Sequence, residues 1–175
     1  ALLQQALTYP HNLGEGKLIG NLDNDLYEMI GELYAKCGDA ARAEEAFRLA
    51  ARGNFDLTGA IYYNDQPPQM MYYAAKALAA LGETDEAQKR FAAFIDYAEA
   101  HRDDVMEIDY FAVSLPDFLI FEGDLNKNNR VHCCLMEALG ALGLGDNEHA
   151  RQAALRGLAE NGCQSELNRI VKGIL

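Results

Sequence analysis

Aromatic side chains stand next to amides and carboxylates in two stretches of the sequence, and a third stretch is rich in Asn. Aromatic faces beside Asn, Asp and Gln are a common means of holding uncharged polyhydroxylated ligands such as sugars. The candidate carbohydrate-binding residues are Tyr62, Tyr63, Asn64, Asp65, Gln66, Asp109, Tyr110, Phe111, Asp117, Asn126 and Asn128. Each polar residue alone also fits a structural role, because Asp65 precedes two prolines and the stretch 124–129 can cap a helix.

Metal and catalytic chemistry find little support in the residue spacing. Asp124, Asn126 and Asn128 have the 1, 3, 5 spacing of a calcium loop, but Leu135 stands where a bidentate Glu is needed. The four histidines have no partner at metal-ligand spacing. Nucleophile-elbow, phosphate-loop and dinucleotide motifs do not occur in the sequence. We therefore expect no metal, no cofactor and no catalytic residue in this chain.

The charge balance narrows the range of partners. The chain has 175 residues, with 15 Lys and Arg against 27 Asp and Glu, and a net charge of −12. Such a field repels nucleic acid and anionic membrane surfaces, so we expect neither as a partner. A basic peptide, a neutral ligand or a sister domain stays open.

The apolar runs, the cysteines and the N-terminal residues indicate where the protein is located and whether the chain is part of a longer protein. The sequence has no run of about 18 apolar residues and no secretion signal. Four cysteines without C-x-x-C spacing predict buried, reduced thiols of a cytoplasmic protein, at Cys37, Cys133, Cys134 and Cys163. A helix-like stretch at 2–7 stands at the start in place of an initiator Met. We expect the chain to be a piece of a longer protein.

One short pattern occurs three times along the chain: a Gly followed five residues later by an Ala. The three pairs are Gly38 with Ala43, Gly82 with Ala87 and Gly145 with Ala150. Each Gly follows one apolar helical stretch and precedes another, so each marks the tight turn of a helical hairpin. Each Ala lies where two helices must touch closely. The pattern predicts an array of helical repeats.

The residues around the first of these turns have helical spacing on both sides. They are Tyr27, Ile30, Gly31, Tyr34, Ala43, Phe47 and Ala50. Here the chain resembles the tetratricopeptide repeat (TPR), with large-x-x-Leu-Gly-x-x-Tyr in helix A and Ala-x-x-x-Phe-x-x-Ala in helix B. The hairpins around Gly82 and Gly145 match more loosely, and Glu137 stands where the third should have an apolar residue. The resemblance implies an all-α, TPR-like helical-hairpin superhelix of about three hairpins plus a capping helix.

The hairpin turns are farther apart than in a standard TPR. From 38 to 82 and from 82 to 145 they stand 44 and 63 residues apart, against a repeat of about 34. We expect a single domain over 1–175, with long ordered insertions between the repeats. The repeats are expected near 24–53, 68–98 and 129–160, the insertions at 11–23, 54–67 and 101–128, and the capping helix at 165–175.

The insertions are where the candidate carbohydrate-binding residues lie. In a stack of hairpins every connection from helix B to the next helix A emerges at the same edge, so the array would bring these residues together. The first helix of the third hairpin, 131–144, is apolar on almost every side. A helix of this kind is buried on two faces, and we expect the apolar second insertion to cover it.

Three further motifs extend the resemblance over nearly the whole chain. They are Leu-Thr-Tyr-Pro-His-Asn-Leu-Gly-Glu-Gly-Lys (7–17), Tyr-Tyr-Asn-Asp-Gln-Pro-Pro (62–68) and Asp-Tyr-Phe-Ala-Val-Ser-Leu-Pro-Asp-Phe (109–118). The combination resembles a family of large bacterial proteins in which a β-sandwich region of unknown function precedes C-terminal TPR repeats. The family offers no activity to transfer to a named residue, and its kind of β-sandwich suggests a link to carbohydrate metabolism.

Two functions follow from these observations. The first is a non-catalytic interaction or scaffold module that binds a protein segment or the parent protein's own N-terminal domain. Its exposed contacts on the concave face would be Glu28, Glu32, Tyr72 and Lys76. The second is an accessory region whose insertions complete a carbohydrate-binding or glycan-processing site of the parent protein.

Overall fold

The computed structural model is all-helical over the residues that it describes, which are 2–10, 12, 21–58, 66–106 and 124–174. These residues form eight helices and no strand, which confirms the all-α prediction. Within them, no helix has the length and apolar character needed to span a bilayer. The helices are α1 (Leu2–Ala6), α2 (Asn24–Lys36), α3 (Ala40–Ala50), α4 (Pro68–Ala80), α5 (Thr84–His101), α6 (Leu125–Gly143), α7 (Asn147–Glu160) and α8 (Ser165–Val171).

Three tight turns join α2 to α3, α4 to α5 and α6 to α7, and all three have the same geometry. Gly38, Gly82 and Gly145 have φ values of 79°, 90° and 83°. In each turn the amide after the Gly donates to the carbonyl five residues earlier, at 2.9 Å. This is the hydrogen bond of a Schellman ending, which needs a left-handed residue after the helix and so favours Gly. The predicted hairpin turns are confirmed.

Small residues allow helices to approach each other, both within a hairpin and between successive hairpins. A Cβ atom on Gly31 of α2 would lie 2.5 Å from the Phe47 ring of α3. On α6, a Cβ atom on Gly140 would lie 2.6 Å from the carbonyl oxygen of Phe91 in α5. Gly31 thus packs directly on an aromatic ring and Gly140 directly on the backbone of α5, and a larger residue at either position would push the helices apart.

The helix α6 is the most buried element, as its all-round apolar sequence predicts. It packs against α5 and α7 and also contacts α4 and α8. Its Cys133, Met136, Ala138 and Leu139 have no accessible surface. Neighbouring helices therefore supply cover on several sides, and the predicted cover by the second insertion falls on 107–123, outside the described residues.

The four cysteines are all free, but only half of them are buried. Cys133 and Cys134 lie inside α6, and burial raises the pKa of the Cys133 thiol to about 12. Cys37 and Cys163 are exposed, so the prediction of burial is wrong for these two. Both follow the last turn of a helix, where side chains are less enclosed.

Candidate functional site

The predicted concave-face residues meet where α2 packs against α4. The Nζ atom of Lys76 lies 2.7 Å from Oε1 of Glu28 and 3.5 Å from Oε1 of Glu32. On the outer side, Nζ of Lys36 lies 3.3 Å from the other carboxylate oxygen of Glu32. We call Glu28, Glu32, Lys76 and Tyr72 the carboxylate–lysine cluster. The sequence names its members, and the packing of α2 on α4 brings them together.

Two of the four residues are far less accessible than expected. Glu28 and Tyr72 are only 3% and 4% exposed, so the prediction that they are exposed contacts is wrong. The Tyr72 ring packs against the rings of Tyr73 and Phe91, with centroids 5.5 and 5.7 Å away. The accessible part of the cluster is Glu32, whose side chain is 42% exposed, and Lys76, at 30%.

Burial and pairing shift the protonation of this cluster in different directions. Burial is the largest influence on Glu28 and raises its pKa, although Lys76 opposes the shift. Burial is also the largest single influence on Glu32, but Lys76, Lys36 and the hydrogen bond with Glu28 together outweigh it and lower the pKa. Burial is the largest single influence on Lys76 and would lower its pKa, but the hydrogen bond and charge of Glu28, with smaller contributions from Tyr72 and Glu32, together raise it. Burial raises the pKa of Tyr72 to about 12, so its hydroxyl stays protonated at neutral pH.

The candidate carbohydrate-binding residues are only partly described by the structure. Those outside the described residues are Tyr62, Tyr63, Asn64, Asp65, Asp109, Tyr110, Phe111 and Asp117. Gln66 is buried and donates from Nε2 to Oδ1 of Asn24 at 3.0 Å. Oδ1 of Asn126 accepts a hydrogen bond from the backbone amide of Met106 at 2.8 Å. Asn128 lies in the first turn of α6.

Gln66 and Asn126 are therefore committed to holding the ends of the insertions. A Cβ atom on Gly53 would clash with the Gln66 side chain, so the two ends of the first insertion pack directly on each other. Asn126 links the residues after α5 to the start of α6. These contacts give both residues a structural role.

Two buried asparagines that were not among the predicted binding residues act in the same way. The Asn24 side chain donates to the carbonyl oxygens of Ala50 and Arg52 at 2.6 and 2.7 Å, at the end of α3. Asn129 of α6 donates to the carbonyl oxygen of His101 at 2.7 Å, at the end of α5. Helix-end carbonyls lack partners within their own helix, so each amide closes a helix before an insertion. No spacing in the sequence marks either residue.

Glu137 is the centre of a second ionic cluster. Its carboxylate accepts bonds from Arg102 and Arg156, both at 2.5 Å, and lies 2.7 Å from Nε2 of His149. The side chain is only 7% exposed. Burial is the largest single influence and would raise its pKa, but the hydrogen bonds from Arg156 and His149 and the charges of Arg156 and Arg102 together lower it. The cluster joins α6 to α7 and to the end of α5. These contacts explain why Glu137, a charged residue, stands where the repeat pattern should have an apolar one.

Comparison with known protein families and solved structures does not identify these sites. No protein-family model matches the chain. No solved structure matches it significantly either. Within the described residues, no group of three His, Cys, Asp or Glu side chains could hold a metal ion. In the described part of the chain, the carboxylate–lysine cluster is the arrangement of predicted site residues that the structure assembles.

Proposed function

We propose that this chain is a TPR-like, non-catalytic interaction module that binds a basic protein segment at the carboxylate–lysine cluster. The observation that carries the proposal is the single Lys76 ammonium shared by the carboxylates of Glu28 and Glu32. The three tight hairpins support the TPR-like part of the proposal. The bound segment belongs to another protein or to a further domain of a longer parent.

An exchangeable counterion makes this surface suitable for a basic partner. Lys36 completes the charge balance of Glu32, but its side chain is 72% exposed. Exposed ion pairs of this kind contribute about 0–1 kcal/mol, so a partner's Lys or Arg can replace Lys36 at little cost. The net charge of −12 would also speed the approach of a basic segment.

A matched pair of helix positions tests the proposal. Glu32 and Lys36 form an i,i+4 pair on α2, and Glu44 and Arg48 form an equivalent exposed pair on α3. A fluorescent Lys-rich peptide is titrated into the protein, with a Glu-rich peptide of equal length as reference. We expect Glu32→Gln to weaken binding of the Lys-rich peptide by about two- to fivefold and Lys36→Gln to strengthen it.

The α3 variants separate a local site from general attraction. Glu44→Gln and Arg48→Gln make the same changes in net charge, and we expect each to alter the affinity much less than its α2 counterpart. Equal effects at the two helices would show that the net charge alone attracts the peptide. No binding, or equal binding of the two peptides, would also refute the proposal.

A carbohydrate site at the insertions is the alternative function. It rests on aromatic and acidic residues such as Tyr63 and Asp65, which lie outside the described residues. Titration with a panel of neutral sugars tests it, with Tyr63→Ala and Asp65→Ala as variants. Binding that both variants abolish would support this alternative, and no response to any sugar would count against it.

A further inference from the structure

One Asn–Gly pair occurs in the sequence, and it lies in the turn between α7 and α8. Asn161 directly follows the last residue of α7, and both Asn161 and Gly162 are exposed to solvent. Every other asparagine is followed by a residue that carries a side chain. Because glycine has no side chain, its backbone nitrogen is open to attack the preceding asparagine side chain. The turn therefore holds a candidate site of spontaneous modification.

The folded turn keeps the two reacting groups apart. Asn161 has φ −139° and ψ 93°. These angles place the Gly162 nitrogen on the side of the Asn161 Cα–C bond opposite to Cβ, whereas a ring would need both on the same side. Within the part of the chain that the structure describes, the Gly162 amide donates no hydrogen bond, so the nitrogen itself is not engaged elsewhere. Reaction therefore requires a rotation about the Cα–C bond.

Three hydrogen bonds oppose this rotation. Oδ1 of Asn161 accepts from the Cys163 amide at 3.1 Å, and the backbone carbonyl of Asn161 accepts from the Gln164 amide at 3.2 Å. The carbonyl of Gly162 accepts from Nδ2 of Asn168 at 3.0 Å. The bonds from Cys163 and Asn168 are exposed, and exposed turns open locally much more often than a whole domain unfolds. The turn thus controls how often Asn161 can react.

We propose that Asn161 is a site of spontaneous deamidation that reacts when the turn between α7 and α8 opens. The Gly162 nitrogen attacks Cγ of Asn161, so that a C–N bond forms and closes a succinimide ring while the Cγ–Nδ2 bond breaks. The amide proton of Gly162 leaves with Nδ2 as ammonia. Water then opens the ring at either carbonyl and gives an aspartyl residue or an isoaspartyl residue, whose main chain runs through Cγ. This inference goes beyond the basic-segment site and does not depend on it.

The products change the link that positions α8 on α7. The isoaspartyl product adds one carbon to the main chain of a short turn. The packing beyond that turn is tight, because Leu167 has no accessible surface and a Cβ atom on Gly157 would lie 2.5 Å from its side chain. Both products also add a carboxylate at the carboxyl end of α7, where the helix dipole disfavours negative charge. We expect modification to loosen α8 from α7.

Ageing of the purified protein, followed by peptide mass analysis, tests the proposal. We expect the peptide that contains Asn161 to gain the mass of deamidation and to separate chromatographically into an aspartyl and an isoaspartyl form. Asn54 is exposed and precedes Phe55, so it serves as the internal reference and should stay unchanged. In urea that unfolds the protein, the reaction at Asn161 should be at least about tenfold faster, because the turn is then always open.

Three variants localise the effect. Gly162→Ala should slow the reaction in both the folded and the unfolded protein, because a side chain then hinders the attacking nitrogen. Asn168→Ala removes the bond to the Gly162 carbonyl, so it should speed the reaction about fivefold in the folded protein and leave the rate in urea unchanged. Lys172→Ala changes an exposed residue just after α8 and is the matched control, which should alter neither rate.

Each measurement has an outcome that would overturn the proposal. An unmodified Asn161 after ageing would do so, and so would an aspartyl form without the isoaspartyl form, since that result excludes the succinimide. An equal rate in the folded protein and in urea would refute control by the turn, as would an unchanged rate in Asn168→Ala. The isoaspartyl form, separated from the fresh protein, should melt at a lower temperature. Equal melting of the two would refute the loosening of α8.

Discussion

The ring of Phe47 packs directly on the backbone of Gly31, where a Cβ atom would lie 2.5 Å from the ring. The contact brings α2 and α3 together within the first hairpin. We expect Gly31→Ala to destabilise the protein by about 1–2 kcal/mol, since overpacking outweighs the gain of about 1 kcal/mol in helix propensity. In a Phe47→Ala background the same change should be neutral or stabilising. Chemical denaturation of the four proteins in this cycle measures the coupling. Equal effects in both backgrounds would contradict the contact.

The buried amide of Asn24 should contribute more to stability than an exposed amide. Asn24 has no accessible surface and makes three hydrogen bonds, two to carbonyls at the end of α3 and one to Gln66. We expect Asn24→Ala to cost about 2–3 kcal/mol, because it leaves buried groups unpaired. Asn21 is exposed and donates to the Tyr9 hydroxyl. Asn21→Ala is the control, with an expected change within about 0.5 kcal/mol. A similar loss in both variants would contradict the assigned role.

The ionic cluster at Glu137 should make stability depend on pH. Its pKa is lowered from the ordinary value of 4.5. A lowered pKa in the folded state means that the carboxylate stabilises the protein above pH 4.5 and loses this contribution as the pH falls through the folded pKa. We expect Glu137→Gln to cost about 1–3 kcal/mol near pH 7. The difference from the wild type should shrink below pH 4.5. Urea denaturation across this range measures it.

Glu28 provides a comparison of opposite sign. Burial raises its pKa above 4.5, so its contribution is complete below that pH and is lost as the pH rises through the folded pKa. The loss of stability caused by Glu28→Gln should therefore become smaller from pH 4.5 towards neutral pH. The loss caused by Glu137→Gln should instead become larger as the pH rises through the folded pKa of Glu137 towards 4.5. The two pKa values shift in opposite directions because the buried carboxylates have different numbers of cationic partners. Glu28 shares one Lys with Glu32, whereas Glu137 is bonded to two guanidinium groups. If the loss of stability changed with pH in the same direction in both variants, the opposite pKa shifts assigned to Glu28 and Glu137 would be contradicted.

The glycine turns should tolerate only residues that accept a left-handed backbone. No atom lies within 4 Å of a Cβ placed on Gly82, so space does not limit substitution there. Its φ of 90° does. We expect Gly82→Ala to cost about 1–2 kcal/mol and Gly82→Asn less. Gly162 has no left-handed φ, and a Cβ atom there would meet the Leu158 carbonyl oxygen at an ordinary contact distance of 3.7 Å, so it is the control for thermal melting. An equal loss for Gly82→Ala and Gly162→Ala would refute this explanation.

The hairpins could be predicted because their signals are local. A left-handed Gly after an apolar helical stretch ends the helix by bonds within the same turn. The all-round apolar character of α6 likewise predicted its burial. The packing of Phe47 on Gly31 lies inside the same hairpin, where the repeat pattern spaces both residues.

The roles of the polar residues could not be predicted in the same way. Gln66 and Asn126 were interpreted as ligand contacts, and the structure shows them bonded to Asn24 and to the amide of Met106. Glu28 was expected to be exposed and is buried on Lys76 of another hairpin. A side chain's exposure depends on which distant helix packs over it, and one helix's periodicity does not contain that information.

By itself, the amino-acid sequence determined the helical class and the positions of the hairpin turns, because backbone preference and apolar periodicity act over a few residues. Only the tertiary structure decided which carboxylates share a lysine and which amides close the ends of helices. Those features depend on contacts between residues far apart in the chain. The pairing of Glu28 with Lys76 is one such contact, and the bonds of Asn24 to the end of α3 are another.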